Sequence, residues 1–208
     1  MKISKHNHSC LLVHEENITI LIDPGNYTYD SKALDINVID HLDYVLITHE
    51  HPDHMSIPLI KNVMDKFPEA KIISNSSVVK ILESANIQAS TEQNEFIKME
   101  EVPHEKVFGV NLPQNVKFDI FNKLTHPGDS LHFSLSTPIL ALPVQAPWCS
   151  LTQAVEKALE LKPKVIIPIH DWHWSDTARG AFYIRLEDYF KQFNIEFKSV
   201  QTGEIIEI

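Results

Sequence analysis

Thr48-His49-Glu50-His51-Pro52-Asp53-His54 follows directly on the apolar run Tyr44-Val45-Leu46-Ile47. Four metal-capable side chains sit there within six residues, in the pattern His-x-His-x-Asp-His. Side chains two apart on an extended chain point the same way, so His49 and His51 can converge on one ion. Pro52 pushes the residue before it towards extended dihedrals and keeps His51 in step with His49. Asp53 and His54 fall where the strand ends and a helix begins, with Ser56 as its N-cap and Pro58 tolerated in the first turn. That position lets them reach a second ion beside the first. A polar loop merely rich in histidine has no reason to set so many ligands in register.

The remaining composition sets bounds. A chain of 208 residues with 43% hydrophobic and 22% charged residues is ordinary for a soluble globular protein. A net charge of −10 without a basic block argues against gripping a nucleic-acid backbone. Cys10 and Cys149 lie far apart and outside any CxxC pair, which excludes a zinc ribbon or thioredoxin-type motif. Two buried free thiols in a reducing compartment are the expectation. Met1-Lys2-Ile3-Ser4-Lys5-His6 lacks an apolar signal-peptide core, so a cytoplasmic location is expected.

Apolar runs alternate with helical stretches along the chain. Cys10 to His14 and Ile18 to Ile22 read as a hairpin, and Tyr44 to Thr48 as a buried strand. A helix over Ile57 to Lys66, a strand at Lys71 to Ser74 and a helix at Ser76 to Ser84 capped by Ser76 follow. Phe96 to Val102, Val107 to Val110 and Val116 to Leu124 read as antiparallel β elements. A strand at Ile139 to Leu142 precedes a helix over Leu151 to Leu161, whose apolar residues recur at helical spacing. Val165 to Ile169 is a buried strand. A helix from Ala178 to Phe193 and strands at Glu196 to Val200 and Glu204 to Ile208 end the chain. Two sheets packed together with helices outside is the economical solution.

Four ligands in one loop do not complete two metal sites. Three further donors stand at strand ends: His104 in Val102-Pro103-His104-Glu105, Asp129 in His126-Pro127-Gly128-Asp129-Ser130, and His170 closing Val165-Ile166-Ile167-Pro168-Ile169. Gly128 lets the backbone come close to an ion there. Aromatic residues beside a metal suggest a pocket wall, so Trp148, Trp172 and His173, together with His126, are candidate substrate contacts. Arg179 and Arg185 are six apart, so at most one of them can face the site.

The order and spacing of these residues resemble the metallo-β-lactamase fold superfamily. Its motifs resemble Asp23 of Leu21-Ile22-Asp23, the His49/His51/Asp53/His54 cluster, and then His104, Asp129 and His170 at intervals of 50, 25 and 41 residues. More narrowly, His8-Ser9-Cys10, His126-Pro127-Gly128-Asp129-Ser130 and Pro168-Ile169-His170-Asp171-Trp172-His173 resemble the branch containing ascorbate-6-phosphate lactonase-like hydrolases. The resemblance spans essentially the whole chain. It implies an α+β, four-layer αββα sandwich of two mixed sheets, with residues 1–208 as one domain. It further implies that His49, His51 and His104 hold one ion and Asp53, His54 and His170 a second, with Asp129 bridging both. Asp23 would brace the metal loop, and His8 would face the site from the first strand, supporting the ligands from outside and not binding an ion itself.

Imidazole and carboxylate donors suit zinc, and also manganese or iron. Two such ions about 3.5–4 Å apart can share a water and lower its pKa towards about 7. The expected reaction is attack of a metal-bridged hydroxide on an ester-like bond of a small molecule: a lactone, ester, amide or phosphodiester. Asp53 and His54 are the candidate catalytic residues, with Asp53 aligning the hydroxide or taking its proton. Flavodiiron-type proteins of this fold carry a Glu where this chain has His51. Persulfide dioxygenase-like members, which use one iron, keep the cluster and stand as the alternative. A tRNase Z-like nuclease fits poorly, because the chain lacks room for an RNA-gripping arm. No nucleic-acid or membrane partner is expected, and a homo-oligomer is left open.

Overall fold

Alternation along Leu11-Leu12-Val13 and Ile20-Leu21-Ile22 sends neighbouring side chains to opposite faces, and both faces are apolar. Such strands are stable only when covered on both sides. The computed structural model describes residues 1–109 and 111–208 and shows how this is done. Strands β1 (Lys2–Lys5), β2 (Leu11–Glu15), β3 (Ile18–Ile22), β4 (Tyr44–Ile47), β5 (Lys71–Ser74) and β12 (Ile205–Glu207) form a mixed sheet in the order β12-β1-β2-β3-β4-β5. Strands β6 (Ile97–Glu101), β7 (Val116–Ile120), β8 (Leu124–His126), β9 (Ile139–Pro143), β10 (Val165–Ile169) and β11 (Glu196–Phe197) form the second, in the order β11-β10-β9-β8-β7-β6.

Leu11, Val13, Ile20, Ile22 and Leu46 of the first sheet meet Phe118, Ile120, Ala141, Ile167 and Ile169 of the second in one buried layer. The alternate residues face outward. Leu12, Leu21, Val45 and Ile47 pack against α2 (Ile57–Lys66) and α3 (Ser76–Ser84). Leu140, Leu142 and Ile166 pack against α4 (Leu151–Leu161) and α5 (Asp176–Lys191). The expected four-layer sandwich of two mixed sheets is therefore present. A short α1 (Asn26–Asp30) and a 3₁₀ turn at Ile36–Val38 complete the described elements.

Strand direction decides where the site lies. β1, β3, β4 and β5 run parallel to one another, as do β6, β8, β9 and β10. Their carboxyl ends gather at one rim, where open sheets containing parallel strands bind ligands. Bonds between the sheets close that rim: Val116 N–H donates to the Thr48 carbonyl at 3.1 Å, and His170 N–H to the His8 carbonyl at 3.3 Å.

Some expectations need correction. Asn75, not Ser76, caps α3, its Oδ1 accepting from the backbone of Ser77 and Val78 at 3.0 Å. Val116 to Leu124 is not one strand: Phe121 and Asn122 take φ of 54° and 50° and fold the chain back between β7 and β8. Residues 107–109 are irregular or in a turn, and Val110 lies outside the described residues. β1 was not anticipated, because Lys2-Ile3-Ser4-Lys5 offers no apolar run. Cys10 and Cys149 are free and buried. Among the described residues no helix is long and apolar enough to cross a membrane.

Phe118 has no exposed surface and sits at the centre of the inter-sheet layer. Truncation to alanine should cost about 3–5 kcal/mol, read as a lower denaturation midpoint. Phe108→Ala, at a side chain 90% exposed, should move stability by no more than about 0.5 kcal/mol.

Candidate metal centre

After β4 the chain turns at Thr48, whose backbone N–H and hydroxyl each donate to the Asp23 carboxylate at 2.8 Å. His54 Nδ1 donates to the same carboxylate at 2.7 Å, which leaves its Nε2 lone pair facing the rim. His49 spends Nδ1 on the Thr48 hydroxyl oxygen at 3.0 Å. His104 spends Nδ1 on the Glu105 carbonyl at 2.6 Å. One ring nitrogen is fixed by the protein and the other left bare, as in metal-ligating histidines. Gly25 packs against this turn so closely that a Cβ would stand 1.8 Å from the Asp53 carbonyl oxygen.

The structure brings together all seven expected ligands and adds His8. His49, His51, His104 and Asp129 form one group, and His8, Asp53, His54 and His170 another. Within each, the donor atoms all lie within 4.8 Å of one another. Asp129 stands between the groups. Its Oδ1 is 2.9 Å from His54 Nε2 and 2.7 Å from His170 Nε2, while its Oδ2 is 3.4 Å from His104 Nε2 and 3.8 Å from His49 Nε2. Gly128, at φ 58°, delivers Asp129 along a path where a side chain would strike Asn115 and Thr48.

A divalent ion fits these residues. His49 Nε2, His104 Nε2 and Asp129 Oδ1 are buried without a hydrogen-bond partner, each omission costing about 1–3 kcal/mol unless something satisfies it. His54 and His170 bring two Nε2 atoms to 3.0 Å. Donors about 2.0–2.1 Å from one ion at near right angles stand about 3 Å apart. Burial, reinforced by His54, pushes His49 well below the ordinary imidazole pKa, and burial with His104 lowers His51. Both are therefore neutral near pH 7, as ligands must be. Burial alone would raise Asp53 and Asp129. His54 and the His8 hydrogen bond instead hold Asp53 well below the carboxylate range, and His170, His54 and His49 do the same for Asp129.

The candidate wall residues separate. Trp172 stacks on Tyr27 with centroids 4.9 Å apart, and His173 Nε2 lies 3.3 Å from the Tyr27 hydroxyl. Tyr27 in turn sits edge-on to His8 at 5.0 Å. Trp148 does more than pack: its Nε1–H donates to Asp129 Oδ2 at 3.1 Å. His126 corrects the sequence reading. It has no exposed surface, and its Nε2 is engaged with the Ser9 carbonyl at 3.0 Å, so it ties the sheets together behind the site and lines no pocket. Arg179 is held by Asp171 and Asp176 at 3.0 and 2.8 Å, and Arg185 is exposed on α5.

Sequence reasoning missed Asn115 and Asp171. Asn115 accepts from Asp129 N–H at 3.2 Å and donates to the Pro127 carbonyl at 3.1 Å. Asp171, next to His170, gathers Lys5 at 2.7 Å and the Tyr183 hydroxyl at 2.5 Å. Neither carries a local signal, since their partners come from distant segments.

Two outcomes follow from this geometry. Trp148→Phe keeps the ring and removes the N–H, and should weaken metal affinity about 10–100-fold in competition with a chromophoric chelator, with the metal-free melting temperature little changed. Asp171→Asn strips buried Lys5 of its counter-charge and should cost about 3–5 kcal/mol at pH 7. Although burial would raise the Asp171 carboxyl, Lys5, Tyr183 and Arg179 hold it below its ordinary value. The wild-type advantage should thus be complete above about pH 4 and fade as pH falls through the lowered value, as urea unfolding at pH values on either side would show.

Comparison with known proteins agrees with this geometry. The beta-lactamase superfamily domain matches residues 2–170. Protein Rv0786c of Mycobacterium tuberculosis is 25% identical over 202 residues, covering 90% of this chain and 92% of its own. A UPF0173 metal-dependent hydrolase of Listeria welshimeri is 28% identical, and the alignment covers both chains completely. Igni18, a metallo hydrolase from Ignicoccus hospitalis, superposes with a TM-score of 0.72 at 19% identity over 100% of this chain and 98% of its own. The chain belongs to the metallo-β-lactamase superfamily.

Proposed function

We propose that the protein is a metal-dependent hydrolase with a binuclear centre, acting on an ester-like bond of a small molecule: a lactone, ester, amide or phosphodiester. The observation that carries the reading is Asp129, a buried carboxylate whose two oxygens face separate groups of imidazoles. A single-iron oxidoreductase would need only one such group. Relatives described as metal-dependent hydrolases support the same class.

His49, His51 and His104 would hold one divalent ion and Asp53, His54 and His170 the other, with Asp129 between them. Zinc suits the donors first, with manganese or iron(II) as alternatives. Bound there, the ions supply a water acidified towards about pKa 7 and positive charge against the oxygen under attack. No serine or cysteine nucleophile is then required, and Cys10 and Cys149 are buried thiols pushed up to about 12 by burial.

The chain's own residues supply orientation and proton handling. Asp53 is the carboxylate that opens towards solvent, its side chain 23% exposed against 4% for Asp129. Held ionised, it is placed to take the proton released during hydrolysis. Tyr27, Trp172 and His173 form a wall beside it that would seat the organic part of a substrate and exclude water from one side. A groove lined by Tyr44, Met64, Pro68 and Lys71 opens at the opposite ends of β4 and β5 and has none of these donors.

Removing metal with a chelator should abolish hydrolysis across a panel of lactones, esters and phosphodiesters, and zinc or manganese should restore it. Asp129→Ala should lower the rate by more than the roughly 100-fold typical of losing an outer-sphere partner. Full activity in the chelated protein would rule the reading out, and uptake of oxygen with one equivalent of iron would replace it with the oxidoreductase.

A further inference from the structure

We propose that His8 is a fourth protein ligand of the second ion, beside Asp53, His54 and His170, and that this position suits a five- or six-coordinate divalent ion such as manganese or iron(II). The inference rests on the metal centre described above and refines its composition.

His8 is 1% exposed and stands in the turn that follows β1. Its Nε2 lies 3.1 Å from Asp53 Oδ2, the spacing of adjacent donors around one ion, about 3 Å. Its ring centroid is 3.8 Å from that of His170 and 5.6 Å from that of His54. The turn is built to hold it there. Asn7 and His8 take φ of 68° and 46°, a left-handed backbone that persists in non-glycine residues only where the surroundings impose it. His6 N–H donates to the Cys10 carbonyl at 2.7 Å, Cys10 N–H to Asn7 at 2.9 Å, and His170 N–H to His8 at 3.3 Å. That last bond couples His8 directly to an expected ligand.

A hydrogen bond to Asp53 would account for Nε2 alone. Nδ1 is buried without a partner whichever role Nε2 takes. What the strained turn sets is Nε2, 3.1 Å from Asp53 Oδ2, with His8, Asp53, His54 and His170 offering donor atoms that all lie within 4.8 Å of one another. Ligation through Nε2 places the ring proton on Nδ1. Counting Asp129 Oδ1, which lies 2.9 and 2.7 Å from the His54 and His170 nitrogens, five protein donors then face this ion. Structural and catalytic zinc sites use three or four, whereas manganese and iron(II) accept more.

The test loads wild type, His8→Gln and His8→Ala with cobalt(II), whose visible absorption intensifies as coordination number falls. Glutamine retains an N–H that can serve Asp53. If His8 is a ligand, wild type takes two equivalents, and both variants hold the second at least about tenfold more weakly with a more intense spectrum. A His8→Gln protein with wild-type affinity and spectrum would reduce His8 to a partner of Asp53 and overturn the proposal. Metal-free melting curves separate these results from misfolding. In the wild-type protein alone, isotopically labelled histidines should show three couplings to spin-active cadmium in the second position, and two couplings would also overturn it. A wild-type protein that binds no second ion overturns the binuclear reading itself, which no His8 variant is needed to see.

Discussion

A carboxylate buried among imidazoles is the constraint on which this molecule turns. Asp129 is 3% exposed and carries no hydrogen bond at Oδ1. Six histidines, three from one loop and three from separate strand ends, direct ring nitrogens into the same small volume. Burying so many polar groups without partners costs several kcal/mol, and a fold gains nothing from it unless a cation is bound. His49 and His51 are held neutral, as ligands must be, and Asp53 and Asp129 stay charged where charge is needed. Those are the protonation states that divalent ions require.

The sandwich serves that arrangement by strand direction. Parallel strands from both sheets end at one rim, so donors from segments as distant as His8 and His170 become neighbours. Backbone strain is concentrated there as well: His8, Asp23 and His170 all have positive φ, at 46°, 46° and 64°. Such conformations persist only where packing over-determines them, and they cluster at functional sites. Asp23 shows how the strain is held. Its carboxylate takes three hydrogen bonds from Thr48 and His54, and so fixes both the turn and the orientation of the His54 ring.

The sequence was most legible where chemistry is local. The His49 to His54 cluster, its preceding strand and the Ser56-capped helix all rest on spacing within about ten residues, which period and capping rules read directly. Asp129 and His170 were legible through a Pro-Gly turn and the end of an apolar strand. Other features were hidden because their partners come from afar. Trp148 reads as a packing aromatic until its N–H is seen on Asp129, nineteen positions away. Asn115, Asp171 and the cross-sheet bond of His126 depend likewise on segments that only the tertiary fold joins. The β7–β8 turn escaped because Phe121 adopts a left-handed backbone without a glycine to announce it. β1 escaped because Lys5, which reads as a surface residue, is buried against Asp171.

Elemental analysis of protein purified without chelator or added metal tests the central claim most directly. The account predicts close to two equivalents of zinc, manganese or iron per chain, falling together when Asp129 is replaced by alanine. A wild-type protein that holds no divalent metal, even after reconstitution, would contradict it.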